Sequence, residues 1–482
     1  MTRTRTLPWL LMLLTILPGG RADAQDLPGE IAYRITYDRA GADEVRVELS
    51  WSPPLSTARA LVMPRAIPMG YGEQRYDRFL RQVSATSATG TAEPTREEGP
   101  RWALPAGTAR VSYRVDLRQM ERDVHAASDA SRLRDGYLGA LGYSVFAYVD
   151  GFESRPIRLR IEGPAGWPVF STLAPRWPLQ AAPVDATAAD FYALADGQIV
   201  MGPRADVRRL TASPVPLYLA TYAEGPVDLD RLGRLVSTAF ERVLTYFGSV
   251  PFTHYTVHQE LLQPLSPTHE YGMSMEHLDS STYYLLASAG ITAQSTPQDD
   301  ARVLYNFAHH MAHAWVPKRV AGTGYFPFQW EIAPVLDSIW FAEGFGQYAA
   351  IVAVAAGTPD PAAFREGMLA RRFRSNIESA PPFLKRLPLV ELSRVASTRY
   401  AEDFRTGRLV FSRGGLMAAA LDERIQQRTQ GRQSLRDAFR YLVAWGARER
   451  RGFAIDELAG LIQRATGVDT REVIDGWLQP IP

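Results

Sequence analysis

Apolar and polar residues alternate along the first half of the chain, and this two-residue period predicts β-strands. Residues 45–49 (VRVEL) and 109–115 (ARVSYRV) both alternate in this way, as strands with one buried face do. Prolines interrupt the chain between residues 31 and 220, where long helical patterns are scarce. Residues 84–100 are mostly small and polar, which predicts a loop.

The pattern becomes helical after residue 224. Residues 228–247 have the three-to-four-residue period of an amphipathic helix, and residues 255–262 have the composition of a strand. Helical patterns then dominate from Pro297 to the C-terminus. The predicted fold class is α+β, with a β-rich N-terminal domain over residues 25–224 and a mainly helical domain over residues 225–482.

The first 24 residues have the organisation of a secretory signal peptide. Arg3 and Arg5 precede an apolar run over residues 7–17, and small residues at positions 22 and 24 form a cleavage site before Gln25. The apolar run is about half the length of a membrane-spanning helix. We therefore predict an exported protein, periplasmic or secreted, with no membrane span in the mature chain.

Composition narrows the chemistry that the chain can perform. Its 53 basic and 52 acidic residues nearly cancel, so no long-range field favours nucleic acid, and no nucleic-acid partner is predicted. Cysteine is absent, which excludes disulfides, cysteine nucleophiles and thiolate metal sites. Any metal site must therefore use histidine and carboxylate ligands.

Two segments of the helical half have such ligands. His309 and His313 are four residues apart on a predicted helix, about 40° from each other around its axis, so both imidazoles can bind one metal ion. Glu343 lies within the apolar segment 340–345 (WFAEGF), where an unpaired carboxylate is costly to bury and a cation would compensate it. The alternatives are histidines that pack in the core or on the surface, and a glutamate that caps a turn or pairs with an arginine.

These segments resemble the glycyl aminopeptidase family of gluzincin zinc metallopeptidases, relatives of aminopeptidase N and leukotriene A4 hydrolase. The family's His-Glu-x-x-His motif corresponds to residues 309–313, its Lys-Arg pair to residues 318–319, and its Trp-x-x-Glu-Gly-Phe segment to residues 340–345. In the β-rich half, residues 63–68 and 194–202 also resemble family segments. The resemblance is specific in the metal region and diffuse elsewhere.

The resemblance implies a thermolysin-like metallopeptidase domain over residues 225–482. It implies one Zn²⁺ per chain, bound by His309, His313 and Glu343. It also implies that peptide or protein N-termini are the substrate or ligand.

The chain departs from the family pattern at two catalytic positions. His310 occupies the position of the glutamate that serves as general base, a role typically worth about 10²–10⁴ in rate. Phe411, in the segment Phe-Ser-Arg-Gly, occupies the position of the tyrosine that stabilises the oxyanion, and one such donor is typically worth about 10²–10³. His310 could accept a proton, bind the metal, or carry a charge that weakens metal binding.

The substrate-anchoring segment is partly retained. Residues 272–277 resemble a family strand that ends in Glu-His, whose glutamate pairs with the substrate's α-amine, and Glu276 fits that role. Met273 and Ser274 stand where the family has smaller residues and are expected to reshape the cleft. The alternative for Glu276 is an exposed carboxylate at a strand end. The segment is not the nucleophile elbow of a serine hydrolase, which would need glycine at position 276.

Three functions remain open from the sequence. The first is an exported zinc-binding protein of this family fold whose peptidase chemistry is impaired by His310 and Phe411. The second is an active zinc-dependent aminopeptidase that removes N-terminal residues from peptides, with His310 or another group as base. The third is a metal-free scaffold that binds peptides. Retention of all three ligands favours the first function over the third.

Overall fold

A computed structural model of the protein describes residues 28–481, apart from residues 69, 212 and 401. The predicted signal peptide, residues 1–24, lies outside the described residues. Within the described part of the chain, no helix combines the length and apolar character needed to cross a membrane.

The described residues of the N-terminal half form fifteen strands and three short α-helices. The strands are β1 (Ile31–Thr36), β2 (Glu44–Trp51), β3 (Arg59–Val62), β4 (Leu80–Ser87), β5 (Gly90–Ala92), β6 (Arg101–Leu104), β7 (Thr108–Asp116), β8 (Arg132–Arg134), β9 (Tyr137–Leu141), β10 (Tyr148–Val149), β11 (Ile157–Glu162), β12 (Pro168–Ser171), β13 (Gln180–Ala181), β14 (Val184–Ala188) and β15 (Gln198–Met201). The helices are α1 (Leu117–Asp123), α2 (Gly142–Val145) and α3 (Phe191–Asp196).

These strands form three sheets around one apolar core. Their orders are β14-β11-β1-β2-β7-β4-β5, β10-β3-β6 and β13-β12-β15-β9-β8. Strands β2 and β7 bury every second residue, as their alternating sequences predict. The predicted loop over residues 84–100 is wrong in part, because β4 and β5 form a hairpin there. Its small polar residues suit the exposed edge of the sheet, where all three residues of β5 are exposed.

In the second half, the described residues form five strands and eleven α-helices. They are β16 (Asp206–Thr211), β17 (Leu217–Ala223), α4 (Leu229–Phe247), β18 (Tyr255–Leu262), β19 (Met273–Glu276), β20 (Ser280–Leu286), α5 (Pro297–Ala312), α6 (Gly346–Ala355), α7 (Pro361–Met368), α8 (Ser375–Ser379), α9 (Pro382–Lys385), α10 (Leu389–Arg399), α11 (Phe404–Thr429), α12 (Leu435–Glu449), α13 (Glu457–Thr466) and α14 (Arg471–Leu478). The predicted helix over 228–247 and strand over 255–262 are confirmed, and so is the α+β fold class.

A five-stranded sheet separates the two hydrophobic cores. Its order is β16-β17-β18-β20-β19, with β17, β18 and β20 parallel and the two edge strands antiparallel. Leu217 and Leu219 of β17 face the helical core, whereas Tyr218 and Ala220 face the β-rich core. Because both faces of β17 are buried, its sequence is nearly all apolar and lacks the polar alternation of β2. Because β16 and β17 precede residue 225, the sheet includes strands from both sides of the proposed domain boundary.

Candidate metal centre

Helix α5 presents two histidines on the face opposite its buried apolar stripe. Thr296 caps the helix, accepting a hydrogen bond from the backbone N–H of Asp299, and Pro297 occupies its first position, as the sequence predicts. Val303, Phe307 and Met311 are buried in the helical core. The four-residue spacing then brings the Nε2 atoms of His309 and His313 to 2.9 Å from each other.

Glu343 completes a three-ligand cluster. Its Oε2 lies 3.6 Å from His309 Nε2 and 3.7 Å from His313 Nε2. Three ligands about 2.1 Å from a tetrahedral ion would be separated by about 3.4 Å. The donor types and their separations therefore fit one tetrahedral metal ion.

A backbone carbonyl orients one of the imidazoles. His313 Nδ1 donates to the carbonyl oxygen of Val316 at 2.8 Å, so Nε2 is the nitrogen that faces Glu343. Such second-partner bonds are usual for metal-binding histidines, because they fix the ring and its tautomer. Val316 lies directly after the helix, in a segment that the sequence alone does not connect to the site.

Two carboxylates beside the histidines favour positive charge in the cluster. Burial opposes ionisation of His313, but Glu276 and Glu343 raise its pKa to about 9. Burial and the neighbouring His313 lower the pKa of His309 to about 3. Burial alone would raise the pKa of Glu343, yet His313 and His309 hold it well below its usual value. The carboxylates of Glu276 and Glu343 thus stabilise positive charge at this position.

Glu343 is positioned by a π-helical turn, Trp340–Phe345, that leads into α6. A Cβ on Gly344 would lie 2.5 Å from the backbone of Gly414, so the glycine allows α11 to approach closely. All six residues of the turn are buried, and Glu343 is 7% exposed. Turns of this kind often occur at functional sites, where they re-aim one side chain.

Tyr71 contacts the candidate ligand from the N-terminal half of the chain. Its hydroxyl donates to Glu343 Oε1 at 3.1 Å, which leaves Oε2 directed at the histidines. Burial and the Glu343 carboxylate raise the pKa of Tyr71, so the hydroxyl stays protonated and remains a donor. No local sequence pattern indicates this contact, although Tyr71 closely follows the family-like segment 63–68.

Removal of the Tyr71 hydroxyl is expected to weaken metal binding. In Tyr71→Phe the Glu343 carboxylate loses the donor that orients it, and loss of such a partner typically costs 10–100-fold in metal affinity. Zn²⁺ affinity is measured by competition with a chromogenic chelator. Tyr305→Phe is the control, because its buried hydroxyl has no hydrogen-bond partner among the described residues. Equal affinities for the two variants would contradict the orienting role of Tyr71.

His310 lies beside the two candidate ligands, but its ring turns towards strand β19. Its Nε2 lies 2.6 Å from Ser274 Oγ, and its Nδ1 lies 3.7 Å from Glu276 Oε2. One of its nitrogens also lies within 4.8 Å of ligand atoms of His309 and His313. The position that has a carboxylate in the family thus has an imidazole hydrogen-bonded to a serine.

Glu276 is buried rather than exposed, so the alternative of an exposed strand-end carboxylate is wrong. It is 4% exposed and lies at the end of β19, the edge strand of the five-stranded sheet. Burial alone would raise its pKa, but His313 and His310 lower it to about 2. The carboxylate is ionised and available to a cationic group.

Phe411 lies on α11 within an aromatic cluster beside the candidate ligands. Its ring centroid is 6.3 Å from that of Tyr71 and 5.9 Å from that of Tyr400. The side chain is 8% exposed and has no donor to offer. A Cβ at Gly407, one helical turn earlier, would lie 2.5 Å from the ring of Tyr400 and 3.5 Å from the para carbon of Phe411, so the glycine allows these rings to pack closely against the helix.

A buried ion pair connects the strand and helix of the site to the N-terminal half. Asp196 Oδ1 lies 3.0 Å from Lys318 Nζ and 3.2 Å from His277 Nδ1. Lys318 follows α5, and His277 follows Glu276. Burial alone would raise the pKa of Asp196, but Lys318 and His277 lower it to about 2. Asp196 thus fixes both segments from the end of α3.

Two family models match the chain. One, described as the peptidase M61 N-terminal domain, matches residues 32–203, and the other, described as M61 glycyl aminopeptidase, matches residues 302–382. Together they span more than half of the chain, and the second contains His309, His313 and Glu343. No curated protein matches the chain.

Solved structures of metallopeptidases resemble this fold. An aminopeptidase N family protein from Idiomarina loihiensis is 18% identical with a TM-score of 0.81, over 93% of this chain and 76% of that one. A mutant M1 zinc metallopeptidase from Deinococcus radiodurans is 16% identical with a TM-score of 0.55, over 95% of each chain. The same enzyme bound to a Tyr-Ser-Ala substrate is 16% identical with a TM-score of 0.54, over 95% of each chain.

Proposed function

The chain belongs to the M61 glycyl aminopeptidase family, and from this premise we propose that it is an exported zinc-binding protein with impaired peptidase activity. Family membership confirms the resemblance drawn from residues 309–313 and 340–345. One observation carries the proposal. Three side chains of the types that bind metals, His309, His313 and Glu343, lie within 4 Å of one another. The position of the catalytic carboxylate instead has the imidazole of His310, which is hydrogen-bonded to Ser274. The signal-peptide pattern of residues 1–24 supports export.

His309, His313 and Glu343 would hold the zinc ion. Two imidazole nitrogens and one carboxylate oxygen are a frequent ligand set for zinc sites that keep a position open. When bound, zinc would supply Lewis-acid chemistry at a carbonyl group. Tyr71 and the Val316 carbonyl would orient two of the ligands. The negative charge of Glu276 and Glu343 favours a divalent ion there.

Peptidase activity is impaired in this proposal because His310 and Phe411 do not replace the general base and the oxyanion donor of the family. The Nε2 of His310 is engaged by Ser274, so it is less free to accept a proton from water. Phe411 provides no hydrogen bond to an oxyanion, where a donor is typically worth about 10²–10³ in rate. Both losses affect the same transition state, so their separate effects on the rate need not multiply. We therefore propose little or no hydrolysis of peptides.

The ligand that fits the cleft is a peptide or protein N-terminus. Glu276 is an ionised carboxylate at the end of edge strand β19, positioned to pair with an α-amine. An edge strand also offers backbone hydrogen bonds to an extended peptide. The Deinococcus radiodurans relative, whose bound Tyr-Ser-Ala is described as its substrate, supports this ligand class.

Metal analysis tests the proposal. We expect about one zinc per purified mature chain, and at least a tenfold lower content in His309→Ala and His313→Ala, because each removes one of three ligands. His125→Ala is the control, since His125 is exposed and outside the cluster. Zinc is measured by inductively coupled plasma mass spectrometry.

The remaining functions predict different results. A folded wild-type chain without zinc would contradict the proposal and favour the metal-free scaffold. Efficient turnover of an N-terminal glycyl or alanyl chromogenic substrate, abolished by His309→Ala, would instead favour the active aminopeptidase.

A further inference from the structure

Ser274 and His310, two departures from the family pattern, meet in one hydrogen bond. Ser274 replaces a smaller residue on β19, and His310 replaces the glutamate on α5. Their side chains approach to 2.6 Å between Ser274 Oγ and His310 Nε2. A hydroxyl paired to an imidazole at this distance is the arrangement that activates a serine nucleophile.

A carboxylate lies on the other side of the same ring. Glu276 Oε2 is 3.7 Å from His310 Nδ1, which has no hydrogen-bond partner among the described residues. Because strand residues alternate faces, Ser274 and Glu276 project towards α5 together. The order hydroxyl, imidazole, carboxylate matches the roles of nucleophile, base and orienting acid. The distance to the carboxylate is longer than a hydrogen bond, as is common before substrate binds.

Ser274 is half-buried on the edge strand of its sheet. Strand β19 is the last strand of its sheet, and no other described strand pairs with its free side. The unpaired backbone N–H groups of an edge strand can donate to a developing oxyanion. Gly272, directly before the strand, is exposed, so the segment opens towards solvent.

We propose that Ser274, His310 and Glu276 form a serine-nucleophile site that hydrolyses carboxylic esters. Ser274 Oγ forms a bond to the acyl carbon while its proton passes to His310 Nε2. The bond from that carbon to the alcohol oxygen breaks, and the alcohol leaves with the proton. Water then attacks the acyl-serine and gives a proton to His310, which returns it to Ser274 Oγ as the carboxylic acid is released. In both steps the Glu276 carboxylate orients the His310 ring by accepting a hydrogen bond from the His310 Nδ1–H.

The proposal is tested with diisopropyl fluorophosphate, which labels serine nucleophiles. The Ser274 Oγ–phosphorus bond forms, the phosphorus–fluorine bond breaks, and hydrogen fluoride leaves. We expect one adduct per chain, mapped by mass spectrometry to Ser274, and turnover of p-nitrophenyl acetate that the reagent abolishes. Ser274→Ala should give no adduct at this position, and His310→Ala should label at least about 10²-fold more slowly.

Ser266→Ala is the matched control. Ser266 Oγ lies 2.8 Å from His269 Nδ1, a similar serine–histidine contact outside the cleft, so this variant should label as the wild type does. An unlabelled Ser274 in folded wild-type protein, or equal labelling rates in His310→Ala, would overturn the proposal. Zinc content, measured on the same samples, reports separately on the proposed zinc site.

Discussion

The double variant His310→Glu, Phe411→Tyr is expected to hydrolyse an N-terminal alanyl p-nitroanilide at least about 10³-fold faster than the wild type. A general base typically contributes about 10²–10⁴, and one oxyanion donor about 10²–10³. Because both act on one transition state, each single variant is expected to gain much less than the pair. Initial rates with zinc-loaded protein provide the measurement.

The control for this gain is His310→Gln, Phe411→Tyr. Glutamine has nearly the shape of glutamate but cannot act as a base. This double variant should therefore hydrolyse the p-nitroanilide at a rate close to that of the wild type. If the glutamate variant is folded, binds one zinc and still shows no gain, the proposal that two substitutions limit the chemistry fails. The cause would then lie in Met273, Ser274 or the shape of the cleft.

Periodicity and motif spacing predicted the parts of the molecule that local rules control. The cap at Thr296, the helix that begins at Pro297 and the approach of His309 to His313 follow from spacing along one segment. Glu343 could be assigned because a buried carboxylate needs compensation and because its segment resembles a family motif. In the same way, the two-residue period of β2 and β7 predicted which of their residues are buried.

Contacts across long sequence separations could not be predicted in this way. Tyr71 reaches Glu343 across 272 positions, and Asp196 reaches Lys318 across 122. From the sequence, Ser274 is expected only to reshape the cleft, since no nucleophile motif surrounds it. Its relation to His310 depends on how β19 packs against α5, which no local pattern specifies. The chemistry of the site thus depends on contacts between segments as much as on the motifs.

Asp196→Asn is expected to lower the free energy of unfolding by about 3–5 kcal/mol at neutral pH. The substitution removes the charge that compensates Lys318, whose side chain is fully buried, and breaking a buried pair from one side typically costs this much. The folded-state pKa of Asp196, about 2, is below its ordinary value of about 4. Its stabilisation is therefore fully present above pH 4 and is lost as the pH falls towards 2.

Urea unfolding of wild type and variant at pH 7, and at steps between pH 5 and pH 2, measures this difference. The difference in the free energy of unfolding should be largest at neutral pH and should narrow below pH 4, because the unfolded chain then binds a proton at Asp196 that the folded chain, with a pKa of about 2, does not bind. Asp185→Asn is the control, since Asp185 forms an exposed pair with Arg160 and should change stability by less than about 1 kcal/mol. A similarly small change in Asp196→Asn would mean that Lys318 finds other compensation, and Asp196 would lose its role in fixing the strand and helix of the metal site.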